Sequence, residues 1–370
     1  MKKRSLAALL MAAAMTLSLA ACGGAGAPAA SSSAPAASSS APAASSAAEE
    51  PTESAHFSVA ALKGPTAMGL VKLMEENDAR TAALLSSEAR PEESGDAPAA
   101  LKSQNVYSFT LAASPDEVTP KLIQGELDMA CVPANLAAVL YGKTEGQVEV
   151  LAVNTLGVLY IVENGNAVQS LSDLKGMTVA ASGKGSTPEY ALRYLLEQNG
   201  VDPDRDVTID WKSEHSECVA ALASGAASVA LLPQPFVTVA QSKLDGLRVA
   251  LDLTEEWDRL DNGSGLITGV IVARRDAVEK NPGAVEAFLQ DYAASVDWVN
   301  ANTAAAAELI GSYGIVDAAV AEKALPACNI VCLTGEEMHQ RLSGYLSVLC
   351  EQNPQAVGGA LPEDDFYFGA

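Results

Sequence analysis

Apolar and polar residues alternate in two different patterns along the chain beyond residue 55. Short apolar runs, such as residues 57–62 and 177–181, contain β-branched residues and end near glycine, which is typical of buried strands. Each run is followed by a stretch in which apolar residues recur three or four positions apart, as at Leu192, Leu195 and Leu196. Strands that alternate with helices in this way predict an α/β fold.

A strand, a glycine-containing loop and a helix start occur together twice. The loop at residues 64–66 follows the first apolar run, and the loop at residues 185–187 follows the second. The first N–H groups of a helix have no partner within the helix, so each loop ends in a group of free donors. Such helix starts suit an anionic or strongly polar ligand group. We therefore expect one ligand to contact both loops.

A second repeat relates two segments, residues 122–135 and 222–235, that lie 100 positions apart. The matching positions are Leu122, Gly125, Ala130 and Pro133 in the first segment and Leu222, Gly225, Ala230 and Pro233 in the second. In each copy a helix end turns through glycine into a short strand that closes at proline. The duplication predicts a first lobe over residues 56–165, a second lobe over 166–260, and a return to the first lobe with C-terminal helices over 261–370. Two crossings between lobes would form a hinge that closes around a ligand.

The first 21 residues are expected to be a signal peptide. Lys2, Lys3 and Arg4 precede a mostly apolar run, residues 6–19, that is too short to span a bilayer. Cys22 follows Leu-Ala-Ala, a sequence that resembles the bacterial lipobox, in which the cysteine is lipidated and becomes the mature N-terminus. An ordinary signal peptide with small residues at its cleavage site is the alternative. Residues 22–55, rich in Ala, Ser and Pro, are predicted to be a disordered linker behind the lipidated cysteine.

The net charge and the cysteine content exclude some classes of binding partner. The net charge of −23 would become about −26 without the three basic residues of the signal peptide, which argues against nucleic acid and anionic lipid as partners. Five cysteines remain besides Cys22; Cys328 and Cys332 could form a local bridge, or all five could be free buried thiols. The cysteine spacing does not predict a zinc knuckle, and neither a metal nor a cofactor is expected.

Several motifs together resemble solute-binding lipoproteins of ABC importers, nearest to the nitrate/sulfonate/taurine and thiamine-precursor type. They are the Cys22 lipobox and the segments LKGPT (62–66), DLKG (173–176), GSTPEY (185–190) and LPQP (232–235). The resemblance covers the chain from Phe57 to the C-terminus. It implies a type 2 periplasmic-binding-protein fold: two α/β lobes joined by two strand crossovers that act as a hinge, with C-terminal helices packed on the first lobe. It also implies an extracytoplasmic, lipid-anchored monomer that delivers a small polar or anionic solute to a membrane permease with ATPase subunits.

The resemblance also implies pocket residues, carried over position by position. They are Gly64, Pro65, Thr66, Met68, Asn135, Thr155, Ser186, Thr187, Gln234 and Pro235. Ala67 and the long polar segment over residues 77–105 depart from the family pattern, so contacts near Ala67 do not follow from it. The polarity of residues 77–105 predicts an excursion at the surface. His215 is a further candidate from the residues alone, because Glu214, His215, Glu217 and Cys218 cluster after the predicted strand 207–211. This cluster could be a ligand-contacting loop, a solvated helix start or a metal site.

Two other functions remain open at this point. Enzymes such as thiamine-pyrimidine synthases are similar in fold, but the chain lacks their cysteine-rich run, a Gly-x-Ser-x-Gly elbow, a P-loop and a His-Glu-x-x-His motif. We therefore expect no enzyme activity. A sensory lipoprotein that binds a ligand without feeding a transporter is the other alternative. The two helix starts favour an oxyanion such as a sulfonate, carboxylate or phosphate, although a neutral pyrimidine could use the same donors.

Overall fold

The computed structural model describes residues 54–85 and 103–370, so the predicted signal peptide, Cys22 and nearly all of the predicted linker lie outside the described residues. The described strands are β1 (His56–Leu62), β2 (Val106–Ala112), β3 (Met129–Pro133), β4 (Val148–Leu156), β5 (Leu159–Glu163), β6 (Thr178–Ser182), β7 (Thr208–Lys212), β8 (Val229–Pro233), β9 (Arg248–Asp252), β10 (Ile267–Arg274) and β11 (Ile330–Leu333). The described α-helices are α1 (Pro65–Met68), α2 (Val71–Leu85), α3 (Pro115–Gln124), α4 (Ala134–Lys143), α5 (Thr187–Gln198), α6 (His215–Ala223), α7 (Phe236–Lys243), α8 (Leu253–Asp258), α9 (Arg275–Lys280), α10 (Pro282–Ala301), α11 (Thr303–Ser312), α12 (Ala318–Ala324) and α13 (Gly335–Gln352). Short 3₁₀ turns cover Leu171–Leu174, Leu325–Ala327, Pro354–Val357 and Asp364–Phe366.

The described strands form two sheets, each of which is the centre of one lobe. The sheet of the first lobe has the order β11-β4-β10-β3-β1-β2, and that of the second lobe has the order β7-β6-β8-β5-β9. β1 pairs in parallel with β2 and β3, just as β6 pairs in parallel with β7 and β8. An antiparallel strand lies next to this unit in each sheet, β10 beside β3 and β5 beside β8. The same three-strand unit occurs once in each lobe, which confirms the predicted two-lobed α/β fold.

The chain passes between the lobes twice within the described residues. β4 ends at Leu156 in the first sheet, and β5 begins at Leu159 in the second. The return leads from β9 and α8 to β10, which pairs with β3 and β4. The first crossing therefore lies earlier than the predicted lobe boundary at residue 165. Both strands beside the crossing are buried along almost their whole length, so the apolar pattern carries no mark of the point where the chain changes sheets.

Helices cover both faces of the first sheet. α2, α10 and α11 pack on one face around the buried residues Leu151, Phe288 and Tyr292. α4 and α13 cover the other face, where Val150 and Tyr345 are buried. Val150 and Leu151 are neighbours in β4 yet belong to different cores, as expected for side chains that alternate across a strand.

α13 packs on the first lobe, as expected of the C-terminal helices, and also reaches the second. It contacts α4 and β4 on one side and α5 on the other. Tyr345 Oη donates a hydrogen bond to Thr187 Oγ1 at 3.2 Å, and Asn353 Nδ2 donates to Tyr190 Oη at 3.2 Å. α13 and the turn after it therefore connect the two lobes next to the start of α5.

The expected surface excursion over residues 77–105 is wrong at both ends of the segment. α2 continues to Leu85, and the buried Asn77 side chain forms two hydrogen bonds with the backbone of Tyr107, at 2.9 and 2.8 Å. Asn105 is also buried, and its Nδ2 donates to Ala284 O at 2.8 Å. These amides satisfy buried backbone groups. Their polarity was the reason for predicting a surface segment, and polarity alone does not distinguish the two roles.

Candidate functional site

A cavity of about 250 Å³ lies between the two lobes. The first lobe contributes Lys63, Gly64, Pro65, Thr66, Pro133 and Thr268, and the crossing contributes Val158 and Leu159. The second lobe contributes Thr187, Pro188, His215, Pro233, Gln234, Pro235 and Phe236. At ~30 Å³ per water molecule the space corresponds to about eight waters, which suits a small solute.

The two walls of this cavity come from equivalent places in the duplicated units. Residues 63–66 follow β1, and Thr187 follows β6 after a glycine-containing loop. Pro133 closes β3, and Pro233 closes β8. Ligands of α/β sheets bind outside the carboxyl ends of the parallel strands. The duplication brings two such edges together, one from each lobe.

Thr66 is held in place on the first-lobe wall. Its Oγ1 donates to Leu62 O at 3.0 Å, and its carbonyl accepts from Asn154 Nδ2 at 3.3 Å. Gly269 in β10 leaves room for this arrangement, because a Cβ there would lie 2.5 Å from Thr66 Cγ2 and 2.6 Å from Asn154 Oδ1. A side chain at position 269 would displace one of these neighbours.

The loop before α5 has fewer free donors than its sequence suggests. Ser186 is the N-cap residue, but its Oγ donates to Gly183 O at 2.7 Å instead of accepting a hydrogen bond from the helix. The carboxylate of Glu189 accepts from the Gly185 N–H at 2.6 Å. Pro188, at the second helical position, has no N–H. The Gly185 N–H is therefore engaged by a carboxylate of the chain itself, and neither residue lines the cavity.

Thr187 is the residue of this helix start that lines the cavity, and it is only 6% exposed. Its Oγ1 accepts from Tyr345 Oη, which leaves the hydroxyl proton of Thr187 for another acceptor. The opposing helix α1 has only four residues and begins with Pro65, so it contributes little as an N-terminal donor group.

His215 and Phe236 form an aromatic wall in the second lobe. The two rings pack at a tilt with centroids 5.1 Å apart. His215 Nδ1 lies 2.5 Å from Ser182 Oγ, so Nε2 is the ring nitrogen left for a ligand. Burial lowers the pKa of His215 from 6.5 to about 4, and the imidazole is therefore uncharged near neutral pH.

Gln234 presents an amide donor to the cavity. Its side chain is 6% exposed, and its Oε1 accepts from Thr238 Oγ1 at 2.9 Å and from Thr238 N at 3.4 Å. Because both Thr238 groups donate to this atom, it is the amide oxygen, and the Nε2 group lies on the other side of the side-chain amide. No described residue accepts a hydrogen bond from Nε2. A buried amide with an unused donor is the clearest polar recognition group on this wall.

Seven of the eleven sequence-predicted residues line the cavity: Gly64, Pro65, Thr66, Thr187, His215, Gln234 and Pro235. Their contact with a solute stays a prediction. The other four, Met68, Asn135, Thr155 and Ser186, do not line it.

Met68 is fully buried in the core of the first lobe, because the first turn of α1 points it towards the sheet. Thr155 is fully buried in β4, and its Oγ1 donates to Asn154 Oδ1 at 3.0 Å. Asn135 is buried at the start of α4, where its Nδ2 donates to Ala356 O at 3.3 Å. Ser186 lies beside the cavity and bonds its own loop. These side chains serve the fold at the positions described.

Several residues of the cavity wall were not among the site residues predicted from the sequence. Pro133 and Pro233 were visible in the sequence as strand-closing prolines, and the duplication could have placed them opposite each other. Thr268 lies on the return strand β10, and only the sheet order brings it to the cavity. Its Oγ1 is buried without a hydrogen-bond partner among the described residues, so it is a further group that a solute could satisfy.

A larger and more open groove of about 850 Å³ lies between α5 and the end of α13. Its residues are mostly charged: Lys184, Gly185, Glu189, Tyr190, Arg193, Glu197, Glu351, Gln352 and Asn353. Arg193 already pairs with Asp204 at 2.8 Å, and the three glutamates would repel an anion. The smaller cavity, enclosed by both lobes, is the better candidate for solute capture.

The described residues contain no group of three or more His, Cys, Asp or Glu side chains placed to hold a metal ion. Their five cysteines, Cys131, Cys218, Cys328, Cys332 and Cys350, are free, so Cys328 and Cys332 are not bridged in this structure. Among the described helices, none combines the length and the hydropathy needed to cross a membrane.

We expect His215 to make the protein less stable in mild acid. Its folded-state pKa of about 4 lies below the ordinary 6.5, so the unfolded chain binds a proton first as the pH falls. The free energy of unfolding should fall between pH 6.5 and about 4 and should be unaffected by His215 at higher pH. Urea unfolding at about pH 7 and about pH 4.5 should show a loss about 2 kcal/mol larger in the wild type than in His215→Asn. Equal losses in both proteins would show that His215 is not buried as described.

The architecture defines a class of protein. Two α/β lobes of like topology, joined by two crossings, enclose a small cavity at the facing edges of their sheets. This is the construction of a two-lobed solute-binding protein that closes around its ligand.

The comparison with known families identifies the particular family. A model of the family described as "ABC transporter, phosphonate, periplasmic substrate-binding protein" matches residues 103–322, more than half of the chain. The chain therefore belongs to this family of ABC-transporter substrate-binding proteins.

Individual relatives are distant. A binding protein of Brucella abortus is 24% identical over 217 residues, which cover 57% of this chain and 65% of that relative, so the match spans just under two thirds of the relative's length. An ABC transporter structure from Parabacteroides distasonis is 23% identical with a TM-score of 0.67, covering 84% of this chain and 98% of that one. The periplasmic aliphatic sulphonate-binding protein SsuA from Escherichia coli is 16% identical with a TM-score of 0.62, covering 84% and 95% of the two chains. At these identities the solved structures show the fold alone.

Proposed function

We propose that this protein captures a small solute in the cavity between its lobes and delivers it to the permease and ATPase subunits of an ABC importer. The single observation that carries the proposal is the composition of the cavity wall, to which both lobes contribute polar groups: Thr66 and Thr268 from the first, Thr187 and Gln234 from the second. A solute that bonds to both walls binds the closed form more tightly than the open form. Its binding therefore shifts the population towards closure, which a permease can recognise.

The extracytoplasmic setting follows from the family, and the lipid anchor is part of the proposal. Cys22 after Leu-Ala-Ala and the basic start of the chain support lipidation, and two acyl chains would hold the protein at a membrane surface. In a cell fractionation experiment, wild type should sediment with membranes and Cys22→Ser should not. Sedimentation of both proteins would contradict the anchor. The proposal assigns the chain no catalytic step, and we expect it to act as a monomer.

A thermal-shift screen of the purified full chain tests the solute-binding function. The panel should contain phosphonates, sulfonates, nitrate, bicarbonate, amino acids, riboflavin and uncharged nitrogen heterocycles. A solute at a hundred times its Kd should stabilise the folded protein by about 2.7 kcal/mol, which raises the unfolding temperature visibly. A hit whose effect disappears in Thr187→Val supports capture in the cavity. A hit that stabilises Thr187→Val as much as the wild type would contradict it.

A further inference from the structure

We infer that three buried hydroxyl groups behind the cavity, those of Ser182, Thr238 and Tyr345, fix the second-lobe wall as a set of hydrogen-bond donors and so select solutes that present acceptors to it. The inference rests on the proposed function and deepens it by naming residues that set its specificity. None of the three is among the described residues that line the cavity, and each bonds a side chain that does. They are therefore positioning residues.

The first of these contacts orients the side-chain amide of Gln234. Thr238 is buried, and its Oγ1 and N donate to Gln234 Oε1 at 2.9 and 3.4 Å. A backbone N–H can only donate, so the atom that it reaches is the amide oxygen. With the oxygen engaged from behind, the end of the amide left for a solute is Nε2, which has two N–H groups and no lone pair to offer.

The second contact fixes the position of the ring proton of His215. The buried Ser182 side chain places its Oγ 2.5 Å from His215 Nδ1. A buried hydroxyl proton needs an acceptor, and the thiol of Cys218, which lies beside the same hydroxyl, accepts only weakly. Ser182 therefore donates to Nδ1. Because burial lowers the pKa of His215 to about 4, the ring is neutral and carries its one proton on Nε2, the nitrogen left for a solute.

The third contact orients the hydroxyl of Thr187. Tyr345 is fully buried, and its Oη donates to Thr187 Oγ1 at 3.2 Å. The Thr187 oxygen thus accepts from behind and keeps its own proton for an acceptor on the cavity side. Tyr345 belongs to α13, which contacts α4 and β4 in the first lobe as well as α5 in the second. The orientation of this donor therefore depends on the packing of α13 between the lobes.

Together the three contacts give the second-lobe wall one hydrogen-bonding polarity. Gln234, His215 and Thr187 each have their acceptor atom engaged by a buried hydroxyl and offer a donor to the cavity. A solute acceptor on this side gains hydrogen bonds, whereas a solute donor would be buried without a partner. Donors that are held in place before the solute arrives also lose little freedom on binding. Hydroxyl groups that the solute does not touch thus set which face it can present.

Nitrogen NMR of the imidazole rings tests the inference without a solute. The chain has three histidines, and His215→Asn identifies the resonances of His215 in the purified full chain with isotope-labelled histidine. At about pH 7 we expect the ring proton on Nε2 and an Nδ1 resonance shifted by its hydrogen bond. Ser182→Ala should move the Nδ1 resonance towards that of an unbonded ring nitrogen, whereas Ser295→Ala, which removes an equally buried hydroxyl, should not. A proton on Nδ1 in the wild type, or an unchanged Nδ1 resonance in Ser182→Ala, overturns the inference.

Variants that lack one hydroxyl each test the effect on binding. They are Ser182→Ala, Thr238→Val and Tyr345→Phe, and the probe is methylphosphonate, titrated by calorimetry into the purified full chain. We expect each variant to bind this probe about three- to tenfold more weakly than the wild type, because the side chain in the wall is then free to turn an acceptor towards it. Ser295→Ala and Tyr292→Phe are the controls, since they remove equally buried hydroxyls that donate to backbone carbonyls of the first lobe. Both should bind as the wild type does.

The two measurements separate a failure of the inference from a failure of the proposed function. Wild-type affinity in all three variants, or an equal loss in the two controls, overturns the role of the hydroxyls in specificity while solute capture stands. No binding of methylphosphonate to the wild type counts against the proposed function, and the ring spectrum of His215 then decides the inference by itself.

Discussion

Replacement of Gln234 by Glu should reduce the affinity for the solute at least about tenfold while the protein stays folded. The change is isosteric: Glu keeps an oxygen that accepts from Thr238 N and Oγ1, as Gln234 Oε1 does at 3.4 and 2.9 Å. It replaces the unused amide donor with a second oxygen, so a solute acceptor would face a buried carboxylate. Because a protonated Glu can donate a hydrogen bond again, affinity should recover as the pH is lowered. Calorimetry with the solute found by the screen measures both effects.

Gln241→Glu is the matched control for this variant. Gln241 lies on the same helix, α7, but is exposed and does not line the cavity. Gln241→Glu introduces the same change in charge near the cavity. The affinity of this variant for the solute should stay within about twofold of the wild type, because an exposed charge is screened by solvent and salt. Equal losses in the two variants would indicate a general electrostatic effect. No loss in Gln234→Glu would remove Gln234 from the binding site.

Glu163→Ala should destabilise the second lobe by about 3 kcal/mol. The Glu163 side chain is buried at the end of β5, where Oε1 accepts from Ala167 N at 2.7 Å and Oε2 accepts from Val168 N at 3.2 Å and Arg248 Nη2 at 2.5 Å. Truncation leaves two backbone N–H groups without their acceptor and removes the carboxylate partner of Arg248, whose guanidinium keeps the carbonyls of Gly165 and Val168. Urea unfolding measures this loss, provided that the free energy of unfolding depends on urea concentration with the same slope in the variant and the wild type.

The pH dependence gives this prediction a second readout. Burial alone would raise the pKa of Glu163, but the N–H groups of Ala167 and Val168 together with Arg248 outweigh it and hold the pKa below the ordinary 4.5. The stabilisation by the carboxylate is therefore present above pH 4.5 and is lost as the pH falls through the lowered value. The difference between wild type and Glu163→Ala should shrink over the same range.

Asp204→Ala provides the comparison for Glu163→Ala. Asp204 pairs with Arg193 at 2.8 Å, but its side chain is 70% exposed, so its removal should change the free energy of unfolding by at most about 1 kcal/mol. Similar losses in both variants would contradict the description of Glu163 as a buried anchor of the loop after β5.

The two-lobed fold could be predicted because it is duplicated. The recurrence of Leu, Gly, Ala and Pro in segments 122–135 and 222–235 indicates two copies of one unit, and the strands β3 and β8 lie where those segments place them. The cavity then follows from topology, since the carboxyl ends of both parallel units face the cleft. Seven of the predicted residues lie there for this reason.

The remaining features depend on contacts between distant parts of the chain. Met68 and Thr66 lie two residues apart in α1, yet one enters the core and the other the cavity, and only the packing of α1 on the first sheet decides which. The engagement of Gly185 by Glu189 depends on one rotamer at the start of α5. For this reason the sequence predicts a free backbone donor at Gly185, whereas the structure shows this N–H bonded to the Glu189 carboxylate.

The most direct test is a crystal structure of the full chain with a solute from the screen bound. We expect density for the solute in the cavity between the lobes, within hydrogen-bond distance of Gln234 Nε2 and Thr187 Oγ1 and beside the rings of His215 and Phe236. Solute density in the larger groove between α5 and α13, with the cavity unoccupied, would contradict capture between the lobes.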